Sequence, residues 1–446
     1  MISEGDVVEN IGTSGVRVNP GTITPARQSF TGLSEILKRD SGTASKQPPA
    51  VVASVFQTGL NLMRDLEQQG IRTVGIDCNP ENPGFRSRYG RSYLCPNPDR
   101  EPERWAEYMI SLSEAMGEKP VLIAASDIFV AAIGRHASDL NKHFIFSSEG
   151  AILQASLGTK QTQYALAAKY GLPSPRAAYI QSRQELEDFC SLARFPALLK
   201  PRQQREWLAL PPNHPFRFSK TVSASSTEEL LSHYDQVSAS VPEAVAQEEI
   251  VGPDSAKYCY LSVYSTRGHR LGACVVQELR AYPLLYGCAT LVQPVLDDEI
   301  DKICNEFLLS ISFRGLCEIE LKRDIRDGQI RLIEMNPRFS GTGDAARYTG
   351  VETGYLHYLD LIGENPPPVA PTKFNFRHVM LVADLTAFPN YLAEGQIGWR
   401  EWLGSYRGAI KYFDFDPSDR LLALATARKS VRALAAGLWH NLRRRE

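Results

Sequence analysis

The stretch from Gly315 to Arg338, GLCEIELKRDIRDGQIRLIEMNPR, constrains the fold more than any other part of the 446-residue chain. Two runs rich in alternating apolar residues flank Asp327-Gly328, the signature of a β-hairpin. A three-residue loop (Arg326, Asp327, Gly328), with glycine in the left-handed position, pairs residue 325 with 329. That register carries Glu320 opposite Glu334, and Asn336 shares their face by the two-residue strand period. A two-residue loop would instead set Glu320 against Met335, so the placement rests on the loop type. Two carboxylates directly opposed across strands repel unless a cation neutralises them. Oxygen donors from Glu320, Glu334 and Asn336 suit Mg²⁺ or Mn²⁺ held together with substrate phosphates. Arg338, just beyond, offers a planar guanidinium to a phosphate oxygen. The alternative is an exposed hairpin end with solvated acids, and these residues alone do not decide between the two.

The rest of the chain supplies the context. Residues 1–46 are rich in Gly, Ser and Thr without sustained period, which predicts a disordered or loosely attached leader. PPAVVASVF, the amphipathic run Leu60, Leu62, Met63, Leu66, then RTVGID and KPVLIAAS alternate strand and helix, predicting a parallel-sheet α/β domain over 47–150. A nucleotide-binding domain of two lobes is expected over 151–365, divided near residue 250, followed by an extension over 366–446. That extension ends in the basic amphipathic helix RKSVRALAAGLWHNLRRRE, for which docking or solvation is the commoner reading and a membrane surface the less common one.

Several function classes are disfavoured. The first turn, SVFQTGLN, has one glycine where a dinucleotide fingerprint needs three, and Gly341-x-Gly343-x-x-Ala346 stands in the wrong context. No GxxxxGK[ST] loop occurs, and the histidines show no zinc spacing. A formal net charge of −2 calls for neither nucleic acid nor membrane. Eight scattered cysteines without a CxxC pair, and a first stretch with acidic residues and no apolar run, predict a cytoplasmic protein with reduced thiols.

With the other segments in view, RLIEMNPRFSG resembles the metal-binding strand of the ATP-grasp superfamily, in particular its predicted carboxylate–amine ligases and carboligases. The similarity runs upstream in order through GTKQTQYALAAKYGLPSP, FPALLKP and VAQEEIVG, and the tail YFDFDPSDRLLAL is similar to the predicted carboligases. The resemblance implies a pre-ATP-grasp, Rossmann-like parallel-sheet domain followed by a two-lobed ATP-grasp domain, an α/β and α+β chain. It places Lys160 and Lys200 on phosphates, Glu248 near the nucleotide, and the backbone of Glu249, Ile250 and Val251 on adenine. It places Glu320, Glu334 and Asn336 on magnesium, and Arg338, with Lys200, at the transferring phosphoryl group. ATP and Mg²⁺ follow as cofactors, and small-molecule carboxylates and amines as partners. The implied activity is ATP-dependent activation of a carboxylate as an acyl phosphate for attack by an amine; a regulatory or scaffold protein that binds ATP without turnover is the other reading.

Taken singly, Lys160 and Lys200 are more often surface lysines, although Lys200 ends an apolar strand where an unpaired ammonium is costly. The acid that often precedes the first lysine is Thr159 here. After Lys200 the superfamily's glycine-rich lid is replaced by RQQREWLALPPNHPFRFSK, nineteen residues without glycine, carrying Arg202, Arg205, Arg217 and Lys220. Side-chain cations there are expected to replace a backbone cradle, or the lid to close poorly. Arg86, Arg88 and Asp127 fall near strand ends of the first domain.

Overall fold

The computed structural model describes residues 47–202 and 204–443, so the leader predicted over 1–46 lies outside the described residues. Strands β1 (Ala50–Ala53), β2 (Thr73–Asp77), β3 (Arg91–Leu94) and β4 (Val121–Ala124) form a parallel sheet in the order β3-β2-β1-β4. Apolar residues of β1 are covered on both faces, which is why AVVA reads as a continuous buried run rather than an alternation. At the carboxyl ends of β1 and β2, Asp77 accepts from Val55 N at 2.8 Å and Ser54 Oγ at 3.1 Å. These contacts fix the turn into the helix Gln57–Gln68.

Strands β5 (Ala177–Ile180), β6 (Ala197–Pro201), β7 (Val222–Ala224) and β8 (Ala244–Glu248) make an antiparallel sheet ordered β5-β8-β6-β7. The third sheet takes β9 (Lys257–Tyr264), β10 (Arg270–Tyr282), β11 (Cys288–Val295), β12 (Gly315–Arg323), β13 (Ile330–Asn336), β14 (Arg377–Val379) and β15 (Ile410–Tyr412), in the order β13-β12-β9-β10-β11-β14-β15. Alternation along β12 sorts its side chains. Cys317, Ile319 and Leu321 pack with Ile300, Cys304 and Phe307 of the helix Asp298–Ser310, while Glu318, Glu320 and Lys322 face a cleft on the other side.

The segment after 365 is part of this sheet rather than an appendage, because β14 pairs with β11 and β15 with β14. Its acidic run clasps the first domain. Asp416 meets Arg64 at 3.0 Å, Asp419 accepts from Ser87 Oγ at 2.6 Å, and Asp414 caps the helix Leu381–Ala393 through Leu381 N and Val382 N. The last helix spans Arg420–Arg443; its basic, apolar-faced end lies outside the described side chains. Among the described residues no helix is long and apolar enough to cross a membrane. The cysteines are all free thiols.

Candidate functional site

The three sheets border one cleft of about 750 Å³. Of the residues singled out in the sequence, Lys160, Lys200, Glu249, Ile250, Glu320, Glu334, Asn336 and Arg338 line it. Glu248 does not: β8 alternates, so Gln247 faces the cleft, while the Glu248 carboxylate accepts from Arg194 N at 3.0 Å on the other side. Val251 is also outside the lining, its carbonyl taken by Ile325 N at 2.9 Å. Glu249 has both backbone groups engaged, N–H to Pro196 O and C=O to Arg326. Ile250, between them, lines the cleft.

Glu320 does stand opposite Glu334, but by a different route from the three-residue loop. The last pair before the turn is Arg323 with Ile330, so the turn runs over 324–329, closed by Asp324 N to Gln329 O at 2.9 Å and Gly328 N to Asp324 O at 2.7 Å. That register alone would set Glu320 against Ile333. A bulge between Leu332 and Glu334 shifts it by one and restores the pair of glutamates. The carbonyl of the bulged Ile333 is taken by the Tyr164 hydroxyl at 2.9 Å.

The same helix, Lys160–Tyr170, docks along β13 through Gln163, whose amide accepts from Met335 N at 2.8 Å and donates to Met335 O at 2.9 Å. Thr159 is that helix's N-cap, accepting from Thr162 N at 3.2 Å. Docked this way, Lys160 Nζ reaches Glu334 Oε2 at 2.9 Å. Burial opposes the Lys160 charge, yet Glu334, Tyr164 and Glu320 outweigh it and hold its pKa above the usual lysine value. Among the described residues Lys200 has no carboxylate at hydrogen-bond distance, and it donates to Gln247 Oε1 at 2.9 Å. Burial, then the neighbouring Lys160, push its pKa down to about 7. Arg338 is paired across the cleft with Asp127, at 2.6 and 3.0 Å, and also donates to Asn336 Oδ1 at 3.0 Å.

Two further carboxylates in the cleft were missed in the sequence. Glu318, 5 % exposed, accepts from Asn336 Nδ2 at 2.9 Å. Glu278, on β10, has Oε2 buried without a hydrogen-bond partner and lies 3.7 Å from Lys257 Nζ. Burial pushes both up, Glu318 with Glu320 adding to the shift, and Glu278 to about 7 against the pull of Lys257. The signal for Glu318 was present, since acids at i and i+2 of an apolar strand share one face. Among the described residues, no group of three or more His, Cys, Asp or Glu side chains could by itself hold a metal ion. Opposed Glu320 and Glu334 with one amide oxygen nevertheless fit Mg²⁺, which takes one or two carboxylates and leaves room for phosphates.

The glycine-free segment after Lys200 is a packed element. Trp207 is fully buried and stacks on Phe216 at 5.9 Å, inside the core of the small lobe with Leu210 and Leu230. Of its cations, Arg202 and Lys220 line the cleft, Arg202 being paired with Glu243. Arg217 turns back onto Leu210 O. The Arg205 side chain lies outside the described residues.

No family model matches the chain. Among solved structures it is similar to N5-carboxyaminoimidazole synthetase from Staphylococcus aureus complexed with ADP, at TM-score 0.58 and 14 % identity, over 80 % of this chain and 88 % of that one. It is similar to the biotin carboxylase domain of Hydrogenobacter thermophilus 2-oxoglutarate carboxylase, at TM-score 0.56 and 16 % identity, over 75 % and 74 %. The chain has the ATP-grasp fold. The L-amino acid ligase from Bacillus licheniformis is a further neighbour, at TM-score 0.52 and 16 % identity over 71 % and 75 %. At these identities the likeness is one of fold. In sequence, the chain is 25 % identical to D-aspartate ligase of Enterococcus faecium (strain Aus0004) over 263 residues, which span 55 % of this chain and 60 % of that relative.

Proposed function

We propose that the protein is an ATP-dependent ligase that joins a carboxylate to an amine. The observation that carries this reading is the opposition of Glu320 and Glu334, with Asn336 on the same cleft as Lys160, Lys200 and Arg338. Its relatives and neighbours include a D-aspartate ligase and an L-amino acid ligase, and the solved neighbours include complexes with ADP. The connector at Ile250 would meet the adenine, and Glu320, Glu334 and Asn336 would hold Mg²⁺. When bound, that ion neutralises phosphate charge and orients the triphosphate.

The chain's own residues account for the rest. Lys160 and Lys200, which both line the cleft, would meet the β- and γ-phosphates, and Lys200 would gain its charge as the polyanion arrives. Arg338 leaves Asp127 to share the charge that develops on the transferring phosphoryl group. The substrate carboxylate oxygen takes the γ-phosphoryl group, ADP departs, and the amine nitrogen then attacks the acyl carbon, expels phosphate and gives up a proton to it or to solvent. The carboxyl ends of β1 and β4, at Ser54 and Ser126, border the cleft and supply part of the acid's pocket.

The test is ADP release with Mg·ATP and a panel of amino acids, offered singly and in pairs, with hydroxylamine added to trap an acyl phosphate as hydroxamate. An acid that yields hydroxamate supports the ligase. The packed Trp207 segment favours the second reading, a nucleotide-binding regulator. Tight Mg·ADP binding with neither ADP release nor hydroxamate from any acid would favour that reading.

A further inference from the structure

The Asn336 side chain is held on three sides by charge. Its Nδ2 donates to Glu318 Oε2 at 2.9 Å and to Glu320 Oε1 at 2.8 Å, and its Oδ1 accepts from Arg338 at 3.0 Å. An amide offers two donors on nitrogen and lone pairs only on oxygen. Flipping it would set the oxygen against two carboxylates and the NH₂ group against a guanidinium, which has donors only. The neighbours therefore dictate one orientation, with the oxygen toward Arg338. Only that oxygen can ligate a hard cation.

The two carboxylates differ in what they can do once a metal binds. Glu320 is in the proposed metal set, so its oxygens would turn from Asn336 to the ion. Glu318 sits behind Asn336, directly paired with it across β12 and β13, and its other oxygen is held by the Thr342 hydroxyl. We propose that Glu318 is a positioning residue that fixes the Asn336 amide and so makes Oδ1 a metal ligand. This rests on the metal reading given above. Thr342 fixes Glu318 in turn, and the loop after Arg338 thereby belongs to the metal site without touching the ion. Side chains that orient ligands in this way change metal affinity by about 10–100-fold when removed.

The experiment is a double-variant cycle read by Mn²⁺ affinity, from the electron paramagnetic resonance of free Mn²⁺ at saturating ADP. Glu318→Ala should weaken Mn²⁺ binding by about 10–100-fold and leave metal-free ADP affinity unchanged. In an Asn336→Ala background the same change should add less than about twofold, because the ligand it positions is gone. Glu318→Gln keeps the shape and one acceptor oxygen, so it should bind Mn²⁺ within a few-fold of wild type; equal loss in Gln and Ala variants would mean that charge rather than orientation matters and overturns the proposal. Full multiplication of the two losses in the double variant would make Glu318 a ligand in its own right, and wild-type affinity in Glu318→Ala would remove any role; either result overturns the proposal. If the wild-type protein binds ADP but no Mn²⁺, the metal site itself is refuted and the proposal with it.

Discussion

Replacing Lys200 with methionine should abolish a proton uptake that accompanies nucleotide binding. In the free protein, burial and Lys160 hold Lys200 at about 7. At pH 8 an amine with that pKa is charged in roughly one molecule in ten, whereas an ordinary lysine, near ~10.4, is fully charged. A polyphosphate beside Nζ restores the ordinary value, so ADP binding at pH 8 should take up about 0.9 proton per site. At pH 6 the lysine is already charged, and its share of the uptake should fall to about 0.1 proton. Calorimetric titration with ADP, without divalent cations, in buffers of different ionisation enthalpy reads this number as the slope of apparent enthalpy against buffer enthalpy. Lys200→Met should bring the slope near zero at pH 8. A wild-type slope that does not change between pH 6 and pH 8, or one that survives in Lys200→Met, would mean that Lys200 is not the group that takes up the proton. The same shift sets a stability trend for the free protein. Between about 7 and ~10.4 the unfolded chain holds a proton on this lysine that the folded chain lacks, so stability rises with pH across that window.

Other consequences are read elsewhere in the fold. Asp384, fully buried, takes a two-pronged bond from Arg280 at 2.8 and 2.7 Å beneath the cleft; Asp384→Ala should cost about 3–5 kcal/mol by leaving a buried guanidinium unpaired. Urea denaturation measures it, and a loss under about 1 kcal/mol contradicts the assignment. Asp127 is 68 % exposed, so its pair with Arg338 is worth at most about 1 kcal/mol; Asp127→Asn should therefore tighten Mg·ADP by no more than about fivefold, and weaker binding in a direct titration would mean that Asp127 itself contacts the ligand. Trp207→Ala should destabilise by about 3–5 kcal/mol, where a loop resting on the surface would lose almost nothing on denaturation.

How much of this was legible in the sequence depends on the period of each signal. The hairpin strands and the glutamate pair were readable because alternation fixes a face, yet the turn residues misled: Asp324 and Gln329 close a longer turn, and the one-residue error was cancelled by the bulge at Ile333. Nothing in RLIEMNPR marks Ile333 as the extra residue; Tyr164, far away in sequence, takes its carbonyl. Strands β14 and β15 are three residues each, too short to carry a period, and so the segment after 365 read as an extension rather than as sheet. Glu248 was misplaced because the connector motif gives position but not face, which β8 pairing decides. Trp207 and Leu210 show that a segment lacking glycine after Lys200 was shaped by the small-lobe core.

The central claim is that Glu320, Glu334 and Asn336 form a metal site for a nucleotide bound against Lys160, Lys200 and Ile250. Calorimetric titration of the protein with a non-hydrolysable ATP analogue, with and without Mg²⁺, and of Glu334→Gln beside it, tests this most directly. Binding that Mg²⁺ strengthens is expected in the wild type, with the Mg²⁺ dependence lost in Glu334→Gln. No binding under either condition, or a Mg²⁺ effect that survives in Glu334→Gln, would contradict it.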